Sequence, residues 1–318
     1  MEYQYKITVS VVVVCMNTLK NLYPCLDSIK KHTTVSYEML VVAYLFSEKN
    51  LMQLKKDYPW ITIIESNEIR GFSENNNLAL RLAKGEYCFI LNDDTFFDTP
   101  VIDNLVNTIE DLPENVAIIS PNIKYPDGSE QCCGRPPITW WKYILSCFKL
   151  WNEKQDTKYI NKKGLFQSYN IIGAAFLIKN ELFRNMGYFD EQYFFCPEDI
   201  ALSTYLNKKE YKCYVNSEII LYHIAGASNH SKISIVTKAV GIKGSLLFFS
   251  NDSILKKIII ATVIWGTSLL KYLYWQLKIK YKNNDYAQIQ SKAYLNVLKT
   301  IFSEKTPKEI FTTLYTKL

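Results

Sequence analysis

The stretch Tyr87-Cys88-Phe89-Ile90-Leu91-Asn92-Asp93-Asp94-Thr95 constrains the fold most, because an unbroken apolar run stops abruptly on two carboxylates. Residues 87–91, bounded by Gly85-Glu86 and Asn92, have the length and composition of a sheet strand covered on both faces. The carboxyl end of such a strand is where open α/β sheets bind ligands. Asp93 and Asp94 repel each other and call for a counter-charge, which a divalent cation carrying a phosphorylated substrate supplies. The competing expectation is a cap for the helix beginning near Pro100, or a solvated turn.

Upstream, strand and helix patterns alternate. Val9 to Val14 is a β-branched run, after which Asn17-Thr18 can cap a helix carrying Leu22, Leu26 and Ile29. Met39 to Ala43 reads as a second strand, Ser47 as the cap of a helix with Leu51 and Leu54, and Ile61 to Ile64 as a third strand. Ser73 opens a helix through Leu78, Leu82 and Ala83, with Gly85 expected as its C-cap. This alternation predicts a parallel sheet with right-handed crossovers. Cys15-Met16-Asn17-Thr18 is no glycine-rich phosphate loop, which disfavours dinucleotide and P-loop chemistry.

Downstream, Asp98-Thr99-Pro100 starts a helix to about Leu112, Val116 to Ser120 is a strand, and Tyr125-Pro126-Asp127-Gly128 is a turn. Residues 132–164 read as an irregular, Pro-broken segment, either acceptor-facing or packed, before a strand from Gly173 to Ile178. Then Gly187-Tyr188-Phe189-Asp190-Glu191 leads through Tyr193-Phe194-Phe195 to Pro197, which begins a helix with Glu198 and Asp199 in its first turn. Those acids suit helix-end electrostatics, but beside apolar surface one of them could have a raised pKa and act as a general base. Strand Ile219 to Tyr222 ends on His223, ordinarily a structural position unless a metal site lies nearby.

Charge is divided unevenly. Residues 231–318 hold 14 lysines, no arginine and four acids, a net +10 that leaves −4 for the rest of a chain totalling +6. The lysines interleave with apolar and aromatic runs, which favours a membrane surface over nucleic acid. Residues 258–270 are free of charge but short for a span, so an interfacial helix is expected, with a packed helix or a span as alternatives. Eight cysteines form no C-x-x-C pair, and no signal segment precedes Val9, which suits a reducing cytoplasm.

The motifs Val9-Ser10-Val11-Val12-Val13 with Asn17, Gly71-Phe72-Ser73 with Asn76-Asn77, Leu91-Asn92-Asp93-Asp94-Thr95, Asp127-Gly128-Ser129, Gly173-Ala174-Ala175, Gly187-Tyr188-Phe189-Asp190-Glu191, Glu198-Asp199 and Tyr222-His223 occur in a characteristic order. From about residue 7 to about residue 230 the chain resembles family 2 inverting glycosyltransferases, especially rhamnosyltransferase-like bacterial members.

The resemblance implies an α/β GT-A fold, a mostly parallel Rossmann-like sheet with helices on both faces; the helical membrane-associating tail beyond it is read from the residues themselves. The resemblance implies a catalytic domain over 1–230, with a nucleotide-sugar half at 1–120 and an acceptor half at 121–230, ahead of the tail at 231–318. Asp94 then matches the last metal-binding position of the D-x-D motif, with His223 completing a manganese or magnesium site. Asn92 stands in the first position of that motif. Cys15, Asn17, Arg70, Gly71, Asn77, Asn92 and Asp93 would bind donor, and the catalytic pair is Glu198 and Asp199, with Asp199 as base. The implied partners are a nucleotide-sugar donor, a saccharide or lipid-linked saccharide acceptor, and the cytoplasmic face of the membrane. Nucleic acid is not among them, and a homodimer is left open.

The family usually has an acid where this chain has Ala43, and often a second Asp and an Arg where it has Ala201 and Tyr205. Donor or acceptor contacts must therefore differ. Competing readings are a degenerate saccharide-binding or scaffold subunit and a sugar nucleotidyltransferase, the latter lacking its glycine-rich loop.

Overall fold

The computed structural model describes residues 6–131, 134–151, 162–224, 233–281 and 284–318. The first half is built from β1 (Val9–Cys15), α1 (Leu19–His32), β2 (Tyr37–Tyr44), α2 (Glu48–Asp57), β3 (Thr62–Ser66), α3 (Phe72–Leu80) and β4 (Tyr87–Asn92). There follow β5 (Thr95–Phe96), α4 (Val101–Glu110), β6 (Val116–Lys124), α5 (Trp140–Cys147), β7 (Leu165–Ser168), β8 (Ala175–Lys179), α6 (Asn180–Asn185), α7 (Glu198–Lys208) and β9 (Lys212–His223). Ser47 caps α2 as expected, its hydroxyl accepting from Asn50 N. Thr18 precedes α1 without a side-chain cap, and its hydroxyl donates instead to Met16 O.

Among the described residues the strands form one nine-stranded sheet, ordered β3-β2-β1-β4-β8-β6-β9-β5 with β7 beside β9. The pairs β3-β2, β2-β1, β1-β4 and β6-β9 are parallel; β8 runs antiparallel to both β4 and β6. The expected mostly parallel α/β sheet stands, with antiparallel pairing at β8 and where β5 and β7 meet β9. Side chains along each strand alternate between two cores. Val11, Val13, Val41, Phe89 and Leu91 pack with Leu22, Leu26, Leu54 and Ile102, whereas Val12, Val42, Cys88 and Ile90 pack with Leu80, Phe183, Leu202 and Leu206. Helices α1, α2 and α4 therefore cover one face and α3, α6 and α7 the other. Each such aliphatic side chain contributes roughly 1.5–3 kcal/mol by leaving water.

Several expectations change. Helix α3 starts at Phe72 and ends at Leu80, because Gly71 is its N-cap, with its N–H bonded to the Glu74 carboxylate. Gly85 is not a C-cap. Its N–H donates to Ser10 Oγ at 2.8 Å, and a Cβ there would lie 2.4 Å from Ser10 N, so glycine lets the turn before β4 touch the start of β1. The segment 132–164, expected to be irregular, contains α5, whose Thr139 side chain accepts from Lys142 N; residues 152–161 lie outside the described residues.

The chain divides into two compact units, one of Met1–Pro137, Thr157–Asp190 and Asp199–Ile224, the other of Ile138–Asp156, Glu191–Glu198 and Ala225–Leu318. This differs from the boundary expected after residue 230, because two earlier segments join the tail. The second unit contains α5, α8 (Ser234–Ser250), α9 (Ile254–Tyr281), α10 (Asp285–Thr300) and α11 (Pro307–Tyr315). Gly244 of α8 lies so close to Cys196 that a Cβ would sit 2.2 Å from its carbonyl oxygen. Lys243 reaches from α8 to the end of α10, donating to Ile301 O and Ser303 O. No described helix is long and apolar enough to cross a membrane, which removes the spanning alternative for α9 within the described residues.

Gly85→Ala should destabilise the protein by about 1–3 kcal/mol, since every atom the new methyl meets is backbone. Urea unfolding checks this, and an unchanged midpoint would contradict the close approach.

Candidate active site

Strand β4 brings Asn92, Asp93 and Asp94 to the carboxyl edge of the sheet, where the chain turns sharply. Thr95 holds that turn by donating its hydroxyl to Asn92 O at 2.7 Å. Thr95 and Phe96 then pair with His223 and Tyr222, and Ile224 N donates to Asp94 O at 3.0 Å. The long β9 thereby delivers His223 to the acid pair.

His223 Nε2 lies 3.2 Å from Asp94 Oδ1 and 3.5 Å from Asn92 Nδ2. Its other nitrogen, Nδ1, faces Gln131 Oε1 at 3.0 Å, while Gln131 Nε2 donates to His223 O at 2.6 Å. The second bond fixes the orientation of the Gln131 amide, so its oxygen takes the Nδ1 proton and leaves Nε2 as the free face of the ring. That face meets a carboxylate, an arrangement that needs a proton or a cation between them. Two ligands in adjacent corners of an octahedral shell with bonds of ~2.1 Å stand about 3 Å apart, close to the separation seen. Among the described residues no group of three or more His, Cys, Asp or Glu is arranged to hold a metal. Asp94 Oδ1 and His223 Nε2 present two donors at a spacing that fits a divalent cation.

Asp93 points the other way, toward Cys15. Burial pushes its carboxyl up from the ordinary 3.8 to about 6; the Cys15 thiol donates to it and pulls the value down, and the neighbouring Asp94 charge raises it. Burial also pushes the Cys15 thiol far above its usual range.

Asp199 sits in the first turn of α7. Its Oδ2 accepts from Gly173 N at 3.0 Å and its Oδ1 from Ile200 N at 2.8 Å, with Arg135 Nη1 3.6 Å from Oδ2. A Cβ at Gly173 would press on the Asp199 side chain at 3.3 Å, so a bare backbone suits that contact. The next residue, Ala174, accepts from Asn92 N at 2.9 Å. One short backbone segment, Gly173-Ala174, thus connects the acid pair to Asp199.

The remaining expected residues lie elsewhere or are engaged. Glu198 accepts from Cys196 N at 2.6 Å and belongs to the other unit. Asn77 is fully buried and clamps Phe189, donating to its carbonyl and accepting from its N–H. Cys15 is likewise fully buried. Asn17 adopts a left-handed φ of 54°, and its Oδ1 accepts from Ser47 N and Asn50 Nδ2, tying two loops at the sheet edge. Arg70 bonds Ser66 and Glu68, and Gly71 caps α3. Sequence reading missed Gln131 and Arg135, since nothing in their spacing announces them. Arg135 is brought in by its paired backbone bonds with Asn170.

The family model described as "Glycosyl transferase family 2" matches residues 10–187, more than half of the 318 residues, and the chain belongs to that family. An uncharacterized glycosyltransferase of Haemophilus influenzae is 24% identical over 112 residues, covering 35% of this chain and 38% of that protein. The chain thus spans less than half the length of this relative. A mannosyltransferase from Pyrobaculum calidifontis, solved with GDP-Man and Mn2+, superposes with a TM-score of 0.54 at 15% identity, covering 95% of this chain and 89% of that one. GalNAc-T7, solved with UDP, GalNAc and Mn2+, gives 0.57 at 16% identity, covering 94% of this chain and 57% of that one. S. aureus TarS gives 0.50 at 15%, covering 92% and 91% respectively. These likenesses show the fold, a GT-A sheet.

Because the Asp93 carboxyl titrates higher when folded than when unfolded, its favourable contribution is complete below about pH 4 and is lost as pH rises through about 6. In chelator-treated protein Asp93→Asn should therefore stabilise by about 1–2 kcal/mol at pH 7.5, after discounting for partial exposure, and by nearly nothing at pH 4. Urea unfolding at the two pH values reads the difference; an equal effect at both would contradict the assignment.

Proposed function

We propose that this member of glycosyl transferase family 2 moves a sugar from a nucleotide-sugar donor to a hydroxyl of a saccharide or lipid-linked saccharide acceptor. The transfer inverts the anomeric centre and serves bacterial surface polysaccharide synthesis, such as capsule, O-antigen or a wall polymer. This reading is supported above all by the Gly173-Ala174 segment, which bonds to Asp199 on one side and, on the other, to Asn92, the residue that precedes Asp93 and Asp94.

In this reading Asp94 and His223 hold manganese or magnesium, which when bound neutralises charge on the departing diphosphate. Asp199 takes the proton of the acceptor hydroxyl as its oxygen bonds to the anomeric carbon, and the bond from that carbon to the diphosphate oxygen breaks. One displacement by one nucleophile inverts the centre. Gly173 N–H and Ile200 N–H hold the Asp199 carboxylate in orientation, each oxygen keeping a lone pair for the incoming proton. Arg135 beside it offsets negative charge while the acceptor hydroxyl is still neutral.

The tail is read as a peripheral contact with the cytoplasmic face of the membrane. Leu270, Leu273, Tyr274 and Leu277 of α9 are exposed, in a helix that also carries Lys271, Lys278 and Lys280.

Incubating the protein with manganese and a panel of UDP-, GDP- and dTDP-sugars should reveal transfer or donor hydrolysis. Asp199→Asn should lower kcat on the order of 10²–10⁴-fold, with nucleotide affinity nearly unchanged. Unchanged turnover would remove Asp199 as the base, and no metal-dependent donor binding at all would favour a non-catalytic saccharide-binding role.

A further inference from the structure

The helical unit contains a cavity of about 440 Å³, walled by α5, α8, α9, α10 and the backbone near Cys196. None of its lining residues enters the transfer chemistry above. Its electrostatics are one-sided. Lys238 of α8 and Lys271 of α9 both direct Nζ at the ring of Tyr294, 4.7 and 5.6 Å from its centre. No carboxylate is among the described lining residues, and neither lysine forms an ion pair among the described residues. Burial lowers the pKa of both, and for Lys238 the charge of Lys271 lowers it further. Both lysines are partly buried, and two like charges held against one ring without a counter-ion are unfavourable unless something else neutralises them.

A second observation points to the missing group. Ser234, the first residue of α8, is 95% buried and lines the cavity, and its Oγ has no hydrogen-bond partner among the described residues. A buried hydroxyl without a partner calls for an explanation, and here it sits at the positive end of a 17-residue helix. Thr237 and Ser268 add hydroxyls to the same walls. Lysine ammonium groups, hydroxyls and a helix start together form a phosphate-binding chemistry.

We propose that this cavity binds a phosphate or diphosphate ester, its anionic oxygens taken by Lys238, Lys271 and Ser234. The ester can come from a free metabolite or from a lipid headgroup. The second source is favoured by α9, whose Ile264 and Thr267 line the cavity while Leu270 and Leu273 of the same helix are exposed.

The test uses the full chain with chelator, so that metal-dependent donor binding does not contribute. Inorganic pyrophosphate, compared with chloride at equal ionic strength, should raise Tm by about 5 °C at a hundredfold excess over its Kd. It should also slow amide exchange in residues 234–245 and 264–271. Lys238→Met with Lys271→Met should fold at least as stably and bind at least tenfold more weakly. A parallel arm uses phosphatidylcholine vesicles with and without phosphatidic acid. Protection by the acidic vesicles but not by pyrophosphate supports the site with a lipid source; protection by pyrophosphate supports it with a free ester. Absence of protection from both probes overturns the proposal, as does undiminished binding by the double variant. Should that variant not fold, the exchange pattern of the native chain decides in the same way.

Discussion

Two adjacent carboxylates at the end of a buried strand are the constraint on which the first unit depends. β4 is flanked by β1 and β8, and its start is pressed against β1 through Gly85, so its end has little freedom to relieve repulsion by moving. The chain separates the charges by direction. Asp93 turns inward to Cys15 and holds its proton more tightly, while Asp94 turns toward His223. The two carboxylates thus face different partners, a buried thiol for Asp93 and an imidazole for Asp94.

The second dependence is on backbone rather than side chains. Asp199 belongs to a helix remote in sequence, yet its carboxylate bonds to Gly173 and the adjoining Ala174 bonds to Asn92. The antiparallel insertion of β8 between β4 and β6 makes this possible, because it runs the Gly173-Ala174 segment past the carboxyl end of β4. An all-parallel sheet would have left that edge to a crossover loop.

Much of this was legible from pattern. The apolar runs at residues 9–14, 39–43 and 87–91 gave strands because β-branched and apolar runs of that length have few other uses, and Asp94, His223 and Asp199 stood out as polar breaks at strand or helix ends. What was not legible depended on long-range pairing. Gln131 matters only because its amide meets both the ring and the carbonyl of His223, and Arg135 only because its backbone pairs with Asn170. The clamp of the fully buried Asn77 on Phe189 was hidden for the same reason, since its partner lies far along the chain. Gly85 followed helix-end composition, but its position was set by the space left beside Ser10.

If Asp94 and His223 supply two ligands of a cation site, a nucleoside diphosphate must supply others, and cation and nucleotide must bind together. Calorimetric titration of Mn2+ into chelator-treated protein, alone and with UDP or GDP, measures it directly. Mn2+ alone should bind weakly, and at least about tenfold more tightly with one of the nucleotides, the coupling being reciprocal. Equal Mn2+ affinity with and without either nucleotide would contradict it.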